Sequence, residues 1–186
     1  MVQRAVVKVQ QQVGFLVSLL ALLWLIEIAN FLLGQRLDLF GIHPRSLFGL
    51  LGIVCAPFLH GSFGHLIANT GPIFILGWLI LLRGVDYFWQ VSIFCAVASG
   101  LGVWLFSPGY SVTVGASGVI FGYLGFLLLR GFYERSPSSI LISLLVLIYY
   151  GGVFWGLLPM RGGVSWQAHL FGFLGGVLCA RVASQR

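Results

Sequence analysis

Four polar side chains stand out where the surrounding chain is apolar. Ser117 sits between glycines in VGASGVIFG, His169 lies in WQAHLFGFLGG, and His65 and Asn69 are four residues apart in HGSFGHLIANTGP. A serine hydroxyl is a poor nucleophile until a base takes its proton, and imidazole is the usual partner. An attacked carbonyl then becomes an oxyanion, which needs preorganised donors. Ser117 as nucleophile, His169 as base, and His65, Asn69 and the Ser117 backbone amide as donors would complete an acyl-transfer site. Each piece alone also has a plainer reading: GxSG as a helix-packing motif, a membrane histidine as a hydrogen bonder between helices, and His65 with Asn69 as a polar clasp. Their common position must decide.

The elements that set that position follow from composition. The chain is 59% hydrophobic and 8% charged, with mean hydropathy +1.03, whereas soluble domains are about a quarter charged. This predicts an all-α polytopic integral membrane protein in a lipid bilayer, a single domain over residues 1–186. Spans are expected at 13–33, 66–82, 87–106, 139–158 and 166–180, with a sixth, shorter and buried, at 117–129. With the N-terminus cytoplasmic, Arg4, Lys8, Arg83, Arg130, Arg135, Arg181 and Arg186 fall inside, against Arg36, Arg45 and Arg161 outside. That bias favours both termini inside, as short tails over about 1–12 and 181–186. Between the first two spans, Pro44 and Pro57 break a semi-apolar outer loop into short helical pieces.

On this topology the second, fourth and sixth spans all run inward. Counting back from Arg83 to Asn69, Arg130 to Ser117 and Arg181 to His169 gives about 21, 20 and 18 Å at the helical rise. The three side chains share one depth, around 10 Å below the outer face of a hydrocarbon core of roughly 30 Å. Gly118 and Gly122 form one GxxxG, and Gly172 and Gly176 another. Packing of these faces would bring Ser117 to His169. The loop SPGYSVTVGA replaces the missing turns of the fourth span; Gly115 lets it turn into the helix, and water can follow it to Ser117. Phe121, one turn on, is placed to pack on the imidazole. His60 is expected to line the cavity mouth or to anchor its helix.

Other chemistries fit less well. HExxH is absent, and His60 and His65 are five residues apart, off one helix face, so no metal site is expected. Asp38 and Asp86 lie in connections on opposite sides, unsuited to a shared aspartyl site. Glu27 and Asn30 read as a structural polar pair of the first span. Cys55, Cys95 and Cys179 read as small core residues. The net charge of +6 is scattered singly, which argues against nucleic acid.

HGSFGHLIANT, GASGVIFG and AHLFGFLGG, in that order and spacing, resemble the rhomboid intramembrane serine proteases in their minimal six-span bacterial form. The resemblance implies Ser117 as nucleophile, His169 as base, and His65, Asn69 and the Ser117 amide as oxyanion hole. It further implies membrane-protein substrates cut near the outer ends of their spans, no cofactor, a bacterial plasma membrane and a site open to the outer side. Lateral entry between the second and fifth spans would make Phe154, Trp155 and Met160 part of a gate. The sequence departs from the family in Phe121, where many members carry tyrosine, and in lacking a Trp-Arg pair in the first outer loop. The alternative from another class is a non-catalytic rhomboid-like protein that binds or escorts membrane clients.

Overall fold

The computed structural model describes residues 2–159 and 164–185. Its seven α-helices are α1 (Val2–Leu32), α2 (Leu47–Cys55), α3 (Phe63–Leu81), α4 (Val85–Phe106), α5 (Ser117–Glu134), α6 (Pro137–Tyr150) and α7 (Trp166–Ala183). Six correspond to the expected spans, and the nine-residue α2 is a piece of the first long connection. Among the described residues, four segments are long and apolar enough to cross a membrane by themselves: Val6–Leu32, Phe63–Leu81, Val85–Phe106 and Pro137–Leu157. This is an integral membrane protein of the all-α polytopic class.

Helix starts follow local chemistry. Ser46, Ser62, Ser136 and Ser165 cap α2, α3, α6 and α7, each side chain accepting a hydrogen bond from a first-turn backbone N–H. Pro137 follows its cap, where a missing N–H costs nothing. α5 differs: Ala116 precedes it and offers no capping side chain. The N–H groups of its first turn are therefore not taken up by a cap.

α5 is the central helix, with Gly118 and every residue from Ile120 to Leu127 buried. Glycines let α7 lie against it: a Cβ at Gly172 would run into the Gly118 carbonyl, and one at Gly176 into the Gly122 carbonyl. The two GxxxG pairs therefore pack on each other, as their spacing predicts. On its other flank, a Cβ at Gly118 would meet the Ser99 hydroxyl of α4, and one at Gly122 the Cys95 side chain. All three cysteines are free thiols.

The long connection after α1 does contain short helical pieces: a 3-10 turn at Arg36–Phe40, then α2, then a 3-10 turn at Ala56–Phe58. Asn30 ties it to α1. Its amide donates to Gln35 Oε1 at 2.6 Å, Asp38 Oδ1 at 2.9 Å and the His60 carbonyl at 3.4 Å, while its Oδ1 accepts from Leu37 N–H at 2.9 Å. Burial pushes the Asp38 carboxyl up from its ordinary range, opposed by that bond from Asn30. Ile42 and Thr113 exchange backbone hydrogen bonds at 2.9 and 3.1 Å, and Gly115 N–H donates to Ala56 O at 2.8 Å. The loop that descends to Ser117 is thereby stitched to the first connection.

Three boundaries differ from the sequence expectation. α1 runs through the stretch set apart as a tail, because residues 2–12 contain neither glycine nor proline to stop it. α5 continues five residues beyond 129, carrying the buried Arg130 to a salt bridge with Glu134 at 2.9 Å. The fifth span is not one α-helix: it tightens into a 3-10 helix over Gly151–Leu157, starting at a glycine pair.

Candidate active site

Ser117 is the first residue of α5 and His169 lies in the first turn of α7, so the packed glycine faces set their separation. His169 Nε2 is 2.9 Å from Ser117 Oγ, and His169 Nδ1 is 2.8 Å from the Gly156 carbonyl. A carbonyl only accepts, so Nδ1 carries the proton and Nε2 presents its lone pair to the serine hydroxyl. The Phe121 ring lies parallel to the imidazole, with centroids 4.0 Å apart and planes 12° from coplanar. Two contacts therefore hold the ring: a stack fixing its plane and a hydrogen bond fixing its tautomer. His169 is 6% exposed, which keeps this contact largely away from competing water.

Ser99 adds a support from α4. Its hydroxyl donates to the Ala168 carbonyl at 2.9 Å, anchoring the α7 turn next to His169. Gly156 and Ser99 were not legible as site residues. One contributes only a backbone atom, and the other is a small residue in an apolar helix. The closest sequence signal for Gly156 is its lack of a side chain: a Cβ there would lie 2.9 Å from Phe121 Cζ and 3.2 Å from His169 Nδ1.

His65 follows the Ser62 cap of α3, and its imidazole lies on the backbone of Gly115, two residues before Ser117. A Cβ at Gly115 would be 2.8 Å from His65 Nε2. Gly115 has φ +121°, a conformation open to glycine and strained for other residues, so this position needs glycine for both space and backbone. Asn69, one turn beyond His65, is buried, and its Nδ2 has no hydrogen-bond partner among the described residues. A buried donor left unpaired in this way is disposed to take an acceptor.

His60 is fully buried with its ring edge-on to His65, centroids 5.1 Å apart, so it backs the other histidine and does not line an open mouth. Glu27 is also fully buried, and neither carboxylate oxygen has a hydrogen-bond partner among the described residues. Asn30 lies near enough to Glu27 to act on its carboxyl, but its amide hydrogen bonds go to the first connection. Among the expected gate residues, Phe154 packs edge-on against Phe173 of α7 at 5.6 Å, whereas Trp155 is 70% exposed. Met160 lies outside the described residues. Among the described residues no group of three or more histidine, cysteine or carboxylate side chains is placed to hold a metal.

The arrangement can deprotonate a serine hydroxyl, hold the resulting imidazolium, and present backbone and side-chain donors near the same helix start. Comparison with known proteins bears on the family of the chain. The family model described as "Rhomboid domain" matches residues 46–186. An uncharacterised protein of Mycobacterium tuberculosis is 42% identical over 177 residues, covering 91% of this chain and 74% of its own length. An uncharacterised protein of Mycobacterium leprae is 40% identical over 177 residues, 91% of this chain and 70% of its length. The rhomboid-like protein 5 of Arabidopsis thaliana is 32% identical over 134 residues, 67% of this chain and 41% of its length. The matched region contains Ser117, His169, His65 and Asn69 together, and the chain belongs to the rhomboid family.

Proposed function

We propose that the protein is an intramembrane serine endopeptidase working through a Ser117–His169 dyad. The observation that carries this reading is the 2.9 Å contact between Ser117 Oγ and His169 Nε2, with the far nitrogen already committed to Gly156. Ser117 Oγ attacks the scissile carbonyl carbon while its proton passes to His169 Nε2. The oxyanion is met by the Ser117 N–H, Asn69 Nδ2 and His65. Collapse breaks the C–N bond, and the amine leaves with the proton from His169. Water, deprotonated by the same imidazole, then hydrolyses the acyl-enzyme.

The aspartate of a triad is replaced here by a neutral carbonyl and an aromatic face. Gly156 O sets the tautomer and stabilises the proton on Nδ1, and Phe121 lends its π face to the imidazolium. Phe121 has no phenolic hydroxyl, and neither contact needs one.

Substrates are transmembrane segments of other membrane proteins, with the site open to the outer side of a bacterial plasma membrane and both termini cytoplasmic. Entry is lateral, past α6. Only 6% of the most apolar stretch of Pro137–Leu157 is buried, against 22% for Val6–Leu32, 39% for Phe63–Leu81 and 44% for Val85–Phe106, so α6 is the span among these four with the most surface turned outward. Incubation with single-span reporter substrates in liposomes tests the reading. Cleavage by the wild-type chain and none by Ser117→Ala is expected; equal cleavage by both removes Ser117 from the chemistry.

A further inference from the structure

An apolar cavity of about 320 Å³ lies behind the catalytic helix. Ala116, Val119 and Tyr123 form its back wall, Leu19 and Leu23 of α1 one side, and Pro57 part of its lining from the first connection. Phe121 stacks on His169, so α5 presents one face to the base and another to this cavity. The polar atoms in the lining are spent on each other: Ser92 Oγ donates to the Phe88 carbonyl at 2.6 Å and takes the Tyr123 hydroxyl as its other partner. Apart from the indole N–H of the partly exposed Trp89, little is left to recognise a polar ligand or to hold water.

Trp89, Ile93 and Val97 of α4 line the cavity at successive turns, spanning about 12 Å of helix axis. Ile93 is 60% exposed and Val54, on α2, is 70% exposed, so the lining reaches the lipid-facing surface of two elements. α4 meets the length and apolarity of a membrane span, so this stripe runs along hydrocarbon. The volume is about twice the ~150 Å³ of an apolar cavity that takes up benzene. It is too small for a helix about 10 Å across.

We propose that this cavity is a binding site for one acyl chain of a bilayer phospholipid, which completes the packing behind the helix that carries Ser117. Hydrocarbon chain is the matter available beside a membrane span, and the lining is almost wholly apolar. The seated chain takes the place of side chains that α1 and α4 do not supply. This site is separate from the proposed peptidase activity, and its test does not use that activity.

Native mass spectrometry of the protein in mild detergent, after equilibration with palmitoyl-oleoyl phosphatidylglycerol, measures retained lipid. Ala96→Phe places a ring in the cavity from α4, and Ile93→Trp adds bulk at its rim from a position already exposed. One tightly retained lipid per wild-type chain is expected. Its apparent affinity should fall about tenfold or more in Ile93→Trp, and in Ala96→Phe when that variant folds. Absence of retained lipid on the wild type, or equal retention by a folded Ile93→Trp, overturns the proposal. Thermal unfolding measured alongside identifies which variants are folded.

Discussion

Replacing Gly156 by alanine tests the base's orientation while leaving the side chains of Ser117, His169 and Phe121 chemically unchanged. The new Cβ would sit 2.9 Å from Phe121 Cζ and 3.2 Å from His169 Nδ1. The first distance is shorter than real Cβ contacts, and the ring tip opposing it belongs to a residue buried in α5. The 3-10 segment must therefore retreat, drawing its carbonyl away from Nδ1. A hydrogen bond to a group that becomes charged contributes about 1.5–3 kcal/mol. If that is lost mainly when imidazolium forms, kcat falls about 10- to 150-fold, while KM for a single-span substrate changes little. The rate of labelling Ser117 with a fluorophosphonate should fall in parallel. Substrate cleavage in liposomes, with unfolding temperature as a control, reads the effect. A well-folded Gly156→Ala variant with wild-type kcat and labelling rate would refute the idea that this carbonyl sets the working tautomer.

Other expectations can be checked on the same preparation. Gly172→Ala sets a methyl against the Gly118 carbonyl and should destabilise the fold by about 1–3 kcal/mol, read as a lower unfolding temperature in detergent; an unchanged temperature would contradict the close α5–α7 packing. Glu134, at the turn into α6, tests an ion cluster. Burial alone would raise its carboxyl, but the Ser139 hydroxyl, Arg130 and Arg83 hold it below its ordinary value of 4.5. A depressed folded value contributes stability that is present above that ordinary value and lost as the pH falls through the folded one. The stability gap between wild type and Glu134→Gln should therefore be largest near neutral pH and shrink below about 4.5; a gap independent of pH would contradict the sign. A disulfide tethering α6 to α3 should block cleavage of transmembrane substrates and recover it on reduction, and undiminished cleavage in the oxidised form would rule out lateral entry.

The candidate site was legible in the sequence because membranes restrict where polar groups can stand. Asn69, Ser117 and His169 fell at one depth by counting residues, and the two GxxxG pairs indicated which helices close the distance. The structure brings Ser117 and His169 together through those glycines and lays Phe121 on the ring. What escaped the sequence was supplied by backbone atoms and by changes of helix type. Gly156 acts through a carbonyl that every residue possesses, and it reaches His169 because the fifth span tightens into a 3-10 helix where an apolar run reads as continuous α-helix. Asn30 shows the same limit: its partners Gln35, Asp38 and the His60 carbonyl follow from how the connection folds back. Helical spacing puts Glu27 beside it and is visible in the sequence, whereas loop geometry is not. Arg130, treated as the marker of a helix end, is instead buried a turn earlier because Glu134 neutralises it.

The central claim is that Ser117 becomes covalently acylated through proton transfer to His169. Intact-protein mass spectrometry after exposure to a fluorophosphonate measures this most directly on wild type, Ser117→Ala and His169→Ala. The account predicts one adduct on the wild type, mapped to Ser117, none on Ser117→Ala, and strongly slowed labelling of His169→Ala. Labelling of His169→Ala at the wild-type rate, or an adduct persisting in Ser117→Ala, would contradict it.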